Sequence, residues 1–310
     1  MDYYLGVDIG GTQIKYGLIS DEGEMETVYK KETPMDSIDS FVYMMGEIYD
    51  EFADEIGGLA ISMPGIIHSK TGFAVHGGTL DYIKSINMVS LLEERCPTTI
   101  HVENDGKAAA LGELWKGNFK GVENGIIFVL GTGIGGGIIS NGKLLKGNHY
   151  SAGEFSFIKT NSDRSSDEDY MFGFQTGLRK LYATISKRCF IPLKEIDGYL
   201  VFKYANEGNP EILACLNEYC RTLAVQIFNL QAILDPEKIL ISGGISKQPL
   251  LLKLIKKNVA EVFKEKNTEL FYAPLIERSK HGNKANIIGA LYNYKKNEFL
   301  SFESRKQKND

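Results

Sequence analysis

The sequence predicts an α/β protein of two domains of similar design, each with a mixed sheet, facing each other across a central cleft. Three observations carry this. Asp8-Ile9-Gly10-Gly11-Thr12-Gln13 recurs in altered form 120 residues later as Phe128-Val129-Leu130-Gly131-Thr132-Gly133. The alignment runs on without a gap through Ile14/Ile134, Gly17/Gly137, Ile19/Ile139 and Ser20/Ser140. Each copy places an apolar strand before its glycines and another after them, the second ending in a turn, Asp21-Glu22-Gly23 or Asn141-Gly142. Finally, 310 residues exceed one ordinary core and suit two.

The elements follow in order. In the first domain (residues 1–115) three antiparallel strands lead through Met25–Tyr29 into a polar loop with Pro34. A helix is expected over Ser37–Phe52, with Phe41, Met44, Met45 and Ile48 on one face. Gly58–Met63 reads as a buried strand stopped by Pro64-Gly65. An irregular stretch holding Gly72, Gly77 and Gly78 precedes a helix around Met88–Arg95 and a strand over Thr99–Val102. Glu103-Asn104-Asp105 closes that strand, and Gly106–Trp115 reads as a helix. The second domain (116–284) repeats the plan with helical insertions at Tyr170–Lys187, Ile196–Glu207 and Pro210–Leu234. Then come a strand over Lys238–Ser242, a helix over Leu250–Phe263 and a short strand over Leu270–Ala273. A C-terminal helix beginning at Asn286–Asn293 is expected to pack back on the first domain (285–310), ending in a solvated tail, Ser304–Asp310. Thr160–Asp169 is the most polar window and reads as an exposed loop.

Composition excludes several classes. Hydrophobic content of 43% and charged content of 24% are those of a soluble globular protein. A net charge of −5 disfavours a nucleic-acid partner. No apolar run approaches the ~18 residues of a membrane span. The N-terminus enters a strand directly, without the basic and apolar regions of a signal peptide. Cys96, Cys189, Cys215 and Cys220 lack paired metal spacing and read as reduced thiols in a cytoplasmic protein.

The glycine turns are where chemistry is expected. A turn without Cβ atoms lets main-chain N–H groups approach a phosphate, and Thr12 adds a hydroxyl donor. Gly131–Gly137 offers the same, and also fits G-x-G-x-x-G. The dinucleotide reading fails, because that fingerprint needs a helix after the glycines, whereas Ile138-Ile139-Ser140-Asn141-Gly142 continues as a strand and hairpin. Asp105, where a strand meets a helix, can take a proton from an attacking hydroxyl or can simply N-cap the helix. Asn104 can fix sugar hydroxyls by donating and accepting together. Asp8 either holds Mg²⁺ through water or braces the glycine turn. Glu154 could reach a hydroxyl, and Ser242-Gly243-Gly244 is either a bed for adenosine or a plain turn.

Together these residues resemble the ROK family of repressors, open reading frames and sugar kinases, within the actin-like (ribonuclease H-like, hexokinase) ATPase fold. The resemblance spans nearly the whole chain. It rests on Asp8–Thr12, Leu130–Gly137, Glu103-Asn104-Asp105 with Ala108–Glu113, Ala152-Gly153-Glu154, and Ser242-Gly243-Gly244. It implies that Asp105 is the general base for transfer of the ATP γ-phosphoryl to a sugar 6-hydroxyl, with Mg²⁺. Asn104, Glu154, Gly65, Gly78 and His149 would serve the sugar. Gly10, Gly11, Thr12, Gln13, Gly131, Thr132, Gly133 and Gly135 would serve the phosphates, and Gly243 and Gly244 the adenosine. A homodimer is implied by the resemblance alone.

One departure bears on the acceptor. Where many ROK kinases carry Gly-His after the Gly-Glu and then a cysteine-rich segment that binds structural zinc, this chain has Phe157 in the histidine's place and the polar loop Thr160–Asp169, without cysteine, in place of that segment. No structural zinc is expected. The pattern resembles the β-glucoside kinase branch, and Gly77–Ile83 departs from the Pro-Asn-Leu-x-Trp segment of family glucokinases. Glucose, mannose and N-acetylmannosamine are the alternative acceptors. A family repressor would need a helix-turn-helix domain before the first strand. A silent sugar sensor would be expected to lack the base, which Asp105 supplies.

Overall fold

The computed structural model describes residues 2–161, 170–265 and 271–306, with the side chains of 302–306 left aside. Contacts divide the chain into two units. Unit 1 comprises 1–120, 144–152 and 284–310, and unit 2 comprises 121–143 and 153–283. The expected division kept 116–284 together, whereas the short segment 144–152 sits with unit 1.

Unit 1 opens with β1 (Tyr3–Ile9), β2 (Gln13–Ser20) and β3 (Tyr29–Glu32), followed by α1 (Ile38–Asp50) and β4 (Leu59–Met63). Next come β5 (Ile66–His68), β6 (Phe73–Gly77), β7 (Leu80–Asn87), α2 (Met88–Glu93), β8 (Ile100–Asn104) and α3 (Asp105–Lys116). The main sheet runs β3-β2-β1-β4-β8. It is mixed, with β1 antiparallel to β2 but parallel to β4, and β4 parallel to β8. Leu5, Val7 and Ile9 alternate onto one face with Phe41, Met45 and Ile48 of α1. On the other face, Gly6 makes room for the last helix, since a Cβ there would lie 2.3 Å from Ile287 Cγ2. Ser37 caps α1, its side chain accepting from the Ser40 N–H at 3.1 Å.

The stretch expected to be irregular is a three-stranded antiparallel sheet, β5-β6-β7. Its glycines are turns between strands: Gly72 and Gly78 have φ of +74° and +63°. Bulges beside Ile66 and His76 break the alternation that would have marked the strands.

Unit 2 contributes β9 (Gly125–Leu130) and β10 (Ile134–Ser140), and β11 (Lys143–Leu144) crosses the boundary between the units. The helices α4 (Phe172–Thr176), α5 (Leu178–Cys189), α6 (Gly198–Asn206) and α7 (Pro210–Leu234) follow, then β12 (Lys238–Gly243), α8 (Pro249–Val262) and β13 (Leu275–Arg278). The order β11-β10-β9-β12-β13 has the same mixed sense as the first sheet. The helix expected over Tyr170–Lys187 is broken at Gly177, where a Cβ would lie 2.0 Å from Thr132 O. The last strand falls at Leu275–Arg278, not Leu270–Ala273; 271–273 are not strand and Leu270 is outside the described residues.

The C-terminal helix α9 (Ala285–Lys306) belongs to unit 1 and buries Ile287, Ile288, Ala290, Leu291 and Tyr294 with Ile19 and Ala60. It continues to Lys306, through the start of the expected tail, because Glu, Arg and Lys there are good helix formers. Among the described residues no helix is long and apolar enough to cross a membrane.

Candidate active site

Parallel β1, β4 and β8 bring their carboxyl ends to one edge of the unit 1 sheet, the edge at which α/β proteins bind ligands. Their register sets Asp8 beside Ser62, Ser62 beside Glu103, and Met63 beside Asn104. Asn104 N-caps α3, its Oδ1 accepting from the Lys107 N–H at 3.0 Å. Its Nδ2 donates to Gly65 O at 2.9 Å and to Asp105 Oδ1 at 3.1 Å. Both amide hydrogens are therefore engaged, and Asn104 braces Asp105. Asp105 Oδ1 also accepts from the Gly106 N–H at 2.7 Å. The capping duty that Asp105 might have had thus falls to its neighbour.

Gly65 and Gly78 join this cluster. Gly65 has φ +103°, and a Cβ would lie 2.0 Å from His76 O. Gly78 donates its N–H to His76 Nδ1 at 3.1 Å. His149 is exposed, and no hydrogen bond ties it to Asn104, Asp105 or Gly65.

The first glycine turn lies at the same edge. Gly10 N–H donates to Gln13 O at 3.0 Å, Thr33 Oγ1 donates to Gly10 O at 2.7 Å, and Thr33 N–H donates to Thr12 O. The N–H groups of exposed Gly11 and Thr12 have no partner among the described residues, so they can meet an anion. A Cβ on Gly11 would lie 2.7 Å from Thr79 Oγ1. Gln13 begins β2 and is exposed. Asp8 is buried, its Oδ1 accepting from Ser62 Oγ and Asn286 Nδ2, both at 3.0 Å, and its Oδ2 lying 3.5 Å from Lys15 Nζ. These contacts tie the end of β1 to β4, α9 and β2, and none of them reaches the glycine turn itself.

In unit 2 the second turn is tighter by one residue. Ile9 pairs with Ile14, but Leu130 pairs with Ile134, and Gly131 N–H donates to Gly133 O at 3.1 Å. The structural counterpart of Asp8 is therefore Val129, which pairs with Ser242 as Asp8 does with Ser62; it is not Phe128. The N–H groups of Thr132 and Gly133 are unpartnered among the described residues. Gly135 lies inside β10 opposite Val129, away from the turn.

Gly243 sits opposite Leu130 with φ +97°, and a Cβ there would lie 2.2 Å from Leu130 O. Only glycine fits. Beside it opens a cavity of about 320 Å³ lined by Leu178, Tyr182, Gly198, Tyr199, Gly244, Ile245 and Gln248. Its size is in the range of small-molecule pockets, ~300–1,000 Å³. Leu178 N–H donates to Gly131 O at 2.9 Å, so the cavity wall is continuous with the glycine turn. Glu154 is half-buried and precedes the 3₁₀ turn Phe155–Phe157. Phe155 is core, but Phe157 is 55% exposed, which decides against a core role for it.

Among the described residues no group of three or more His, Cys, Asp or Glu side chains could hold a metal ion. The polar window expected at Thr160–Asp169 lies outside the described residues from 162 to 169. Sequence reasoning missed the roles of Ser62, Asn286, Thr33 and Lys146, whose partners are distant in the chain. Strand-end polarity could have flagged Ser62 alone.

A mixed sheet in each unit with a glycine turn after its first strand, and in unit 1 a strand-end aspartate, marks a protein of the actin-like class. The chain belongs to the ROK family, whose match covers residues 4–297. It is 31% identical over 295 residues to a β-glucoside kinase of Listeria innocua serovar 6a, covering 94% of this chain and 97% of the relative. It is also 31% identical over 291 residues to a β-glucoside kinase of Klebsiella pneumoniae, covering 93% and 94%. A ROK family glucokinase from Streptomyces griseus, solved with glucose and AMPPNP, superposes with a TM-score of 0.84 at 25% identity, covering 94% of this chain and 98% of that one.

Proposed function

We propose that the chain is an ATP-dependent sugar kinase acting on the 6-hydroxyl of a β-glucoside of the cellobiose type. The observation that carries the reading is the Asp105 carboxylate, fixed through Oδ1 by Gly106 N–H and Asn104 Nδ2 at the sheet edge that also bears the first glycine turn. In this reading the acceptor hydroxyl gives its proton to Asp105 Oδ2 while its oxygen attacks the γ-phosphorus. The bond to the β-phosphate oxygen breaks and ADP leaves. Gly65 and Gly78 supply close backbone approach for the sugar, and Glu154 accepts from a sugar hydroxyl. Asn104 keeps one Oδ1 lone pair for the sugar and otherwise holds the base.

ATP is the phosphoryl donor. The cavity beside Gly244 suits adenosine, with Tyr182 and Tyr199 for its flat face. The unpartnered N–H groups of Gly11, Thr12, Thr132 and Gly133 suit phosphate oxygens. Mg²⁺ bound with ATP would neutralise charge on the phosphates. Asp8, already bearing Ser62, Asn286 and Lys15, fits a water-mediated contact to that ion and not direct ligation. The protein works as a cytoplasmic homodimer without structural zinc.

The β-glucoside preference over glucose rests on Phe157, an exposed aromatic where a histidine is usual in the family's zinc-binding kinases. Such a ring suits the apolar face of a sugar or an aglycone. A coupled assay of ADP release with cellobiose, an aryl β-glucoside, glucose, mannose and N-acetylmannosamine tests this. The largest kcat/KM is expected with cellobiose or the aryl glucoside. A larger value with any free monosaccharide would reassign the acceptor.

A further inference from the structure

The strand end that bears Asn104 and Asp105 is held from behind by an ion pair between a buried carboxylate and a half-buried lysine. Glu103 has no exposed surface, and its Oε1 accepts from the Asn104 N–H at 3.0 Å. Its Oε2 lies 2.7 Å from Lys146 Nζ, and among the described residues no directed hydrogen bond reaches that oxygen. The Lys146 ammonium also donates to Ser69 Oγ at 2.5 Å and lies 3.5 Å from Asn293 Oδ1. One cation in segment 144–152 therefore ties together the end of β8, the residue after β5 and α9, all within unit 1.

A carboxylate withdrawn from water needs a compensating charge, and Lys146 supplies it. Without that cation the buried Glu103 carboxylate is left uncompensated, and its side chain must shift toward water. That change disturbs the Asn104 N–H that it holds. Asn104 in turn reaches Gly65 O and Asp105 Oδ1, so Glu103 is two hydrogen bonds from the base. Small displacements at a reacting group are costly in rate, because reaction requires near-attack geometry.

We propose that Lys146 and Glu103 are positioning residues for phosphoryl transfer, setting Asn104 and through it Asp105 without touching the acceptor. This rests on the kinase reading above. A purely structural anchor would lower the melting temperature and leave kcat per folded molecule unchanged. A positioning pair changes kcat itself.

The test uses the full chain with Lys146→Met, Lys146→Arg and Glu103→Gln, measuring kcat, KM for acceptor and for ATP, and thermal unfolding. Lys146→Met is expected to lower kcat about ten-fold or more while KM for ATP stays within about two-fold, and Lys146→Arg to recover most of the loss. Glu103→Gln is nearly isosteric and still accepts from Asn104 N–H, so it reports the charge pair even where Lys146→Met does not fold. It is expected to lower kcat in the same direction. A parent-like kcat in folded Lys146→Met or in Glu103→Gln, or a loss that Lys146→Arg does not reverse, overturns the positioning role alone. A parent chain with no sugar-dependent turnover overturns the kinase reading and this inference together.

Discussion

Asn104 accepts from the Lys107 N–H and donates twice, to Gly65 O and Asp105 Oδ1, so one amide caps a helix and steadies the adjacent carboxylate. This division of labour was not legible in the sequence, where Asp105 reads as the candidate cap. The cap follows from backbone: Asn104 has an extended conformation (φ −62°, ψ 144°), whereas Asp105 is already the first helical residue. Phe157 shows the same limit. Its exposure depends on a 3₁₀ turn that buries Phe155, and two phenylalanines at i and i+2 give no sign of which faces in. With Phe157 outside the core, Phe157→Ala is expected to leave stability within about 0.5 kcal/mol. It should raise KM for an aryl β-glucoside several-fold while changing KM for ATP little, as steady-state kinetics would show. A marked fall in melting temperature would return Phe157 to the core.

At the scale of elements, the strongest signals were the long apolar periodicities and the turn residues. Helix α7 begins at Pro210, as expected, with Asn209 as its N-cap accepting from Ile212 N–H at 3.1 Å, and ends at Leu234 before Asp235 in the left-handed region (φ +43°). The sheet β5-β6-β7 was hidden because bulges interrupt its alternation and its glycines read as loop. The C-terminal helix was expected against the first domain, but its close contact with α3 was hidden, since it depends on small residues far apart in the chain. A Cβ on Gly289 would lie 1.7 Å from Ala108 O, and one on Gly112 would lie 2.3 Å from Ala285 O. The two helices meet backbone to backbone. Gly289→Val is therefore expected to destabilise unit 1 by about 1–3 kcal/mol, the usual range for overpacking. Urea unfolding followed by circular dichroism would measure it, and an unchanged midpoint would mean that α9 docks less closely than described.

At the scale of the molecule, the duplication is real in topology and unequal in detail. Both sheets place a glycine turn after their first strand and parallel neighbours beside it, as the repeated sequence suggested. The gapless alignment nevertheless pairs Asp8 with Phe128, while strand register pairs it with Val129, because the second turn is one residue shorter. A one-residue offset is invisible to sequence identity and changes which side chain occupies the strand end. The repeat also carries different duties in the two units. The strand-end aspartate and its braces are in unit 1, and the cavity suited to adenosine is in unit 2. Nucleotide binding and proton removal should then be separable by mutation. The most direct test compares the parent with Asp105→Asn, recording sugar-dependent ADP release and, by calorimetry, ATP affinity. General-base catalysis contributes ~10²–10⁴-fold, so turnover is expected to fall by at least about 10² while ATP affinity stays within about two-fold. Near-parental turnover in a folded Asp105→Asn protein would contradict the assignment of Asp105 as the base.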